Sequence, residues 1–154
     1  MRDTAHVPVT GQTIDLGEFD LALLGQVFDA SPVGMSIIDL HGRFIRVNAA
    51  YEALLGSGPD DTFPSDLGAT TRAEDRAWTA NYIRRLRSGD LASFSSRKRI
   101  VRRDGSDITA LVQLTPLRDQ DGHPVAILGV ATPTDDPPTV DDARVRRFLE
   151  RSST

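Results

Sequence analysis

The chain has 154 residues, 39% of them hydrophobic and 26% charged, enough for one hydrophobic core and too few for two. Its formal charge of −4 argues against a whole-domain nucleic-acid binder, and its zero cysteines exclude disulfides, thiolate metal sites, cysteine nucleophiles and thiol-linked cofactors. No apolar run approaches the roughly 18 residues of a membrane-spanning helix, and no apolar segment follows Arg2, so the expectation is a cytoplasmic protein without a membrane contact.

Residues 1–17 mix Pro8, Gly11 and Gly17 with polar stretches and show no sustained period, which predicts a loose arm. From Glu18, the apolar residues Phe19, Leu23, Leu24, Val27 and Phe28 recur at helical steps, predicting a short amphipathic helix that Ser31-Pro32 ends. Val33 to Leu40 is a nearly unbroken apolar run, the pattern of a strand covered on both faces. His41-Gly42 supplies a tight turn, Arg43 to Val47 the returning strand, and Asn48 a cap for a helix over Ala49–Leu55 that Gly56 closes.

Gly58-Pro59-Asp60-Asp61 and Phe63-Pro64 make residues 57–70 a loop with room for one helical turn. Thr71-Arg72-Ala73-Glu74 has the spacing of a capping box, so a longer helix is expected from Arg72 to Gly89, with Trp78, Tyr82 and Leu86 as its inward stripe. Three strands follow over Phe94–Arg102, Ile108–Leu117 and Pro124–Thr132, joined at Asp104-Gly105 and Asp121-Gly122 into an antiparallel meander. Pro116 implies an edge or a strand end. Beyond Asp135-Asp136-Pro137-Pro138, residues 140–151 read as a further amphipathic helix carrying Val145, Phe148 and Leu149 on one face.

This order of elements resembles the Per-Arnt-Sim (PAS) sensory domain. The residues that carry the likeness are Ser31-Pro32-Val33-Gly34 before the first strand, Asp39-Leu40-His41-Gly42 at the hairpin, Val47-Asn48-Ala49-Ala50-Tyr51 opening the next helix, and Pro116 to Gly122 before the last strand. The resemblance covers about Asp20 to Thr132 and implies an α+β fold: a five-stranded antiparallel sheet in the order 2-1-5-4-3 with helices on one face, plus N- and C-terminal flanking helices. The expected division is an arm at 1–17, the domain with its cap helix at 18–133, and a linker with a signalling-type helix at 134–154. Asp39, Gly42 and Asn48 have local structural duties at a turn and a cap, and mark the fold rather than an active centre.

In that family a ligand, where one is held, lies between the concave sheet face and the long helix. Strand alternation then gives the lining: Ser36 and Ile38 on the first strand, Lys98 and Ile100 on the third, Ala110, Val112 and Leu114 on the fourth, Ile127 and Gly129 on the fifth, facing Trp78, Tyr82 and Leu86. The list is overwhelmingly apolar. Flavin sites of the light-oxygen-voltage type use a Cys and amide side chains, where this chain has Ile100, Ala110 and Ala131. Haem-binding relatives carry a His on the long helix, and none stands between Arg72 and Ser88; His6, His41 and His123 fall in the arm and two turns. The expectation is therefore no cofactor, neither flavin nor haem, and no metal site. Trp78 and Tyr82 have two readings, packed core or an aromatic lid over an apolar ligand.

Arg97, Arg99, Val101 and Arg103 share the outward face of the third strand, either as solvated charges blunting an edge or as a surface for an acidic partner such as Asp135-Asp136 or Asp141-Asp142. No nucleophile elbow, phosphate loop, metal-spaced His/Glu pair or paired inward carboxylates point to catalysis. The function expected is a non-catalytic sensory and protein-interaction module in bacterial signal transduction or transcriptional regulation. It would form a homodimer through Phe19, Leu23, Leu24, Val27, Phe28, Met35 and Ile37, and pass its signal to an effector domain or a separate regulatory protein. The alternative is a sensor holding a small apolar or aromatic metabolite in the sheet cavity.

Overall fold

The computed structural model describes residues 6–9, 12–15, 21–56 and 63–138. The expected C-terminal helix at 140–151 and the interface candidate Phe19 lie outside them. In chain order the elements are β1 (His6–Val9), β2 (Gln12–Asp15), α1 (Leu21–Ala30), β3 (Gly34–Ile38), β4 (Phe44–Val47), α2 (Ala49–Leu55), α3 (Arg76–Ser88), β5 (Phe94–Val101), β6 (Asp107–Arg118) and β7 (Pro124–Pro133). Short 3-10 turns at Leu67–Thr70 and Ala73–Asp75 lead into α3.

The other five strands form one antiparallel sheet ordered β4-β3-β7-β6-β5, which is the 2-1-5-4-3 arrangement that the family resemblance implied. β1 and β2 pair separately with Val7 opposite Ile14, so the arm expected to be loose holds a two-stranded ladder instead. Pro8 is accommodated there because a two-strand ladder leaves each strand an edge, where a missing N–H costs nothing. Pro116 obeys the same logic at the other end. It sits opposite Ile127 in the β6–β7 ladder, while the β5 ladder has already ended at Phe94 opposite Leu114.

Turn chemistry sets the hairpins. At the β3–β4 turn, the Asp39 carboxylate accepts the amides of His41 (2.8 Å) and Arg43 (3.0 Å), and Gly42 takes φ +88°. Asp119 repeats the device before β7 with the amides of Asp121 and His123, both at 2.9 Å. Desolvation pushes the Asp39 carboxyl up, but the Arg43 and His41 amides and the charges beside it prevail and hold it below the usual carboxylate range.

Asn48 does more than the expected cap. Its Oδ1 accepts Tyr51 N–H (3.0 Å) at the start of α2 and Met35 N–H (2.9 Å) in β3, while its Nδ2 donates to Phe28 O (3.0 Å) and Val33 O (2.9 Å). Gly56 closes α2 with φ +75°. The expected capping box does not form. Thr71 donates its hydroxyl hydrogen to Leu67 O, and neither Arg72 nor Asp75 makes a side-chain cap, so the long helix begins as a 3-10 turn and becomes α-helical only at Arg76.

Replacing Asn48 with Ala strands two amides and two carbonyls at a site only 1% exposed, and should cost about 3 to 5 kcal/mol. Equilibrium denaturation followed by the fluorescence of the single tryptophan measures it; a loss under about 1 kcal/mol would show that the four bonds are replaceable by water.

Candidate functional site

The concave face of the sheet and the inner face of α3 enclose the core. Every residue expected to line this interior is buried: Ser36 and Ile38 from β3, Lys98 and Ile100 from β5, Ala110, Val112 and Leu114 from β6, Ile127 and Gly129 from β7, and Trp78, Tyr82 and Leu86 from α3. Strand alternation therefore puts these strand residues on the covered face of the sheet. At Gly129 a Cβ would stand 2.7 Å from Ser36 Oγ and 3.3 Å from Leu114 Cδ2, so a side chain there would require the Ser36 hydroxyl to turn away and Leu114 to give.

Rings fill much of the helix-to-sheet gap. Tyr82 stacks on Phe94 at 4.1 Å between centroids, and Trp78 meets both edge-on, at 5.5 and 5.6 Å. Phe94 was not among the expected lining residues. It opens β5 directly after a loop, where strand parity has no earlier reference, yet it begins the inward series Phe94, Ser96, Lys98, Ile100.

The mostly apolar interior includes the polar residues Ser36 and Lys98 that the lining named. Lys98, the chain's only lysine, is 4% exposed. Its Nζ donates to Tyr82 Oη at 3.1 Å and to Thr71 Oγ1 at 3.3 Å. Each hydroxyl passes its own hydrogen onward, Tyr82 to Thr79 Oγ1 (3.4 Å) and Thr71 to Leu67 O (2.6 Å), so both present lone pairs to the ammonium. Two neutral acceptors leave the third ammonium hydrogen unserved, and no carboxylate lies within ion-pair distance among the described residues. On the same strand face, Ser96 Oγ is buried without a hydrogen-bond partner. The signal for this corner was present in the sequence as a lone lysine at an inward strand position; its partner Thr71 was concealed by the capping-box spacing.

The arrangement can donate hydrogen bonds and charge to an acidic group. It holds no nucleophile with an adjacent base. Where the light-oxygen-voltage pattern would need amide side chains, Ile100, Ala110 and Ala131 are buried apolar residues, so the donor set does not suit an isoalloxazine edge. Asp119, Asp121 and His123 gather their ligand atoms within 4.8 Å, but all are exposed and the Asp119 carboxylate is occupied by the turn amides, so they form a turn.

On the outer face, Arg97 Nε donates to Pro137 O at 2.8 Å, and Arg99 reaches Asp75 (3.9 Å) and Glu74 (4.0 Å). α1 buries none of its residues: Leu23, Leu24 and Val27 are 37%, 48% and 55% exposed, and Phe28 is half-buried under the Arg46 guanidinium. Arg46 also pairs with Asp29 at 2.9 Å, tying the end of α1 to β4. Met35 and Ile37, on the outward side of β3, are half-buried.

The profile of the PAS fold family matches residues 22–134, and the chain belongs to that family. Among solved structures it is similar to the PAS domain of a protein from Colwellia psychrerythraea, with a TM-score of 0.64, 18% identity and coverage of 74% of this chain and 96% of that one. A domain of a sensory box sensor histidine kinase/response regulator from Geobacter sulfurreducens gives a TM-score of 0.59 at 24% identity over 73% of this chain and 96% of that one. A LOV protein from Rhodobacter sphaeroides gives 0.60 at 18% identity over 79% and 70%. In sequence, 95 residues are 26% identical to a probable diguanylate cyclase, DgcE, of Escherichia coli strain K12; they are 62% of this chain and 9% of that protein's length.

Truncating Trp78 to Ala should cost about 3 to 5 kcal/mol, because the ring is 8% exposed and wedged between Tyr82 and Phe94. Urea unfolding followed by far-UV circular dichroism reads the change; a near-neutral result would mean that the ring borders open space rather than packed core.

Proposed function

We propose that this PAS domain is a non-catalytic sensory and interaction module of bacterial signal transduction that self-associates through α1. The carrying observation is the helix itself: it places Leu21 (85% exposed), Leu24 and Val27 in water and fully buries none of its residues, Phe28 being half-buried. A ten-residue helix with no fully buried side chain has little reason to stay folded alone, whereas a second copy across a two-fold axis would desolvate the same stripe on both partners. The output would reside in another domain or a separate protein, in keeping with relatives named as a sensor kinase/response regulator and a diguanylate cyclase. No described helix is long and apolar enough to cross a membrane.

Sedimentation equilibrium tests the reading. The wild-type chain is expected to be a dimer with a concentration-dependent unfolding midpoint, and the Leu24→Asp/Val27→Asp variant a folded monomer whose midpoint is lower by what association supplied and no longer depends on concentration, since both positions face solvent within one chain. A monomeric wild type, or a dimer indifferent to the two charges, would overturn it.

A second reading, a small-molecule sensor, is favoured by the buried Lys98 with its spare hydrogen and by the unpartnered Ser96 hydroxyl. These donors would seat the acidic end of a mostly apolar metabolite. Native mass spectrometry of the wild-type chain should then show an added organic mass that Lys98→Met loses while remaining folded; a bare mass for a folded wild type tells against it.

A further inference from the structure

Outside the core, the outer side of α3 forms one wall of a groove of about 410 Å³, closed by the β3–β4 turn at His41-Gly42 and by the 3-10 turn at Leu67–Thr70. Arg76, Arg84 and Arg87 line it together with His41. Residues 76 and 87 are eleven positions apart, about three helical turns, and 84 lies three positions before 87, so the three positions fall on neighbouring rows along one side of the helix. Between them the wall is Ala80 and Ile83.

None of the three arginines has a carboxylate partner among the described residues. That is not for want of acids, since the chain has 22 Asp and Glu against 18 Lys and Arg. Elsewhere arginines find them, as Arg46 finds Asp29 and Arg72 finds Asp107. In the groove the fixing contacts are neutral. Arg76 Nε donates to Gly68 O (3.2 Å) and Thr71 O (3.4 Å), and Arg87 donates to Leu40 O (2.9 Å) and lies 3.2 Å from His41 Nδ1. Carbonyls orient a guanidinium without cancelling its charge. Arg84 is exposed and makes no hydrogen bond or ion pair with the described residues. The one carboxylate in the lining, Asp66, accepts Ala69 N–H at 3.0 Å at the start of the 3-10 turn.

We propose that this groove is a binding site for a small organic anion, with its phosphate or carboxylate held by Arg84 and Arg87 and its body laid over Ala80 and Ile83 toward Arg76. The volume suits a molecule of metabolite size. The site lies on the opposite side of α3 from the sheet cavity and is independent of both readings above. An occupant would bridge α3 to the β3–β4 turn, two elements that Arg87 already links through Leu40 O.

The test is titration of the full chain at low salt with AMP, inorganic phosphate and citrate, followed by calorimetry and by backbone amide shifts in NMR. Saturable binding is expected, with shifts concentrated at Gly42, Gly68, Ala80 and Arg84. The Arg84→Glu variant should lose about tenfold or more in affinity with an unchanged unfolding midpoint, because the side chain is exposed. Tighter binding of AMP and phosphate than of citrate identifies a phosphate ligand, and the reverse a carboxylate. The proposal fails if none of the probes saturates, if Arg84→Glu binds like wild type, if the shifts fall instead around Ser96 and Lys98, or if a poly-glutamate peptide outcompetes every small anion.

Discussion

The fold turns on one amide side chain. Asn48 is the point at which α1, β3 and α2 meet, and it is the residue type that can serve all three, since a single terminal group must accept two N–H groups and donate to two carbonyls. Aspartate would present oxygen to Phe28 O and Val33 O; serine has one hydrogen and too short a reach. Because the site is buried, the alternative to these bonds is not water but orphaned backbone. The junction ties the first turn of α2, from which Tyr51 and Leu55 reach the core, to the start of β3.

The parts that were legible in the sequence are those written in local chemistry. Asp39, Gly42, Asp119 and Gly122 shape their turns with contacts no more than four residues away, and alternation along β5, β6 and β7 settles the inward face as soon as one residue is placed. What was illegible depends on distant partners. Thr71 has the spacing of a capping box, but an ammonium 27 positions away claims its lone pair and Leu67 O takes its hydrogen. The helical stripe of α1 is equally suited to its own sheet, to another copy or to solvent, and period alone does not choose among them. β1 and β2 were obscured because Pro8 is a breaker in isolation yet acceptable on a two-strand edge.

The distribution of cations carries a separate lesson. Arginine, always charged and able to bind through several N–H groups, serves at the surface, in the groove and, at Arg85, in the buried part of α3; the single lysine stands inside as well, where three hydrogens on one nitrogen can reach hydroxyls on α3 and on the segment before it. Parity placed Lys98 on the buried face of its strand, but its partners were not legible, because they are the hydroxyl tips of Tyr82 and Thr71 rather than residue classes that a hydrophobic pattern counts.

Helix α3 therefore faces two different solvents. Toward the sheet it shows Trp78, Tyr82 and Leu86, with Lys98 hydrogen-bonded to the Tyr82 hydroxyl; toward water it shows Arg76, Arg84 and Arg87. The same rod ends at Gly89, in the left-handed region at φ +88°, which hands the chain to β5 and hence to the strand that carries Lys98 and Arg97. A group bound on either face can change the equilibrium of this helix only by binding one of its positions more tightly than another. The inner face is held by close-packed rings, which resist continuous displacement. The outer face is held by arginine contacts to carbonyls of the two neighbouring turns, contacts that an anion could strengthen or exchange without opening the core. Adjustable contacts on one side of a helix and rigid packing on the other are the physical ingredients of a helix that moves as a unit rather than deforms.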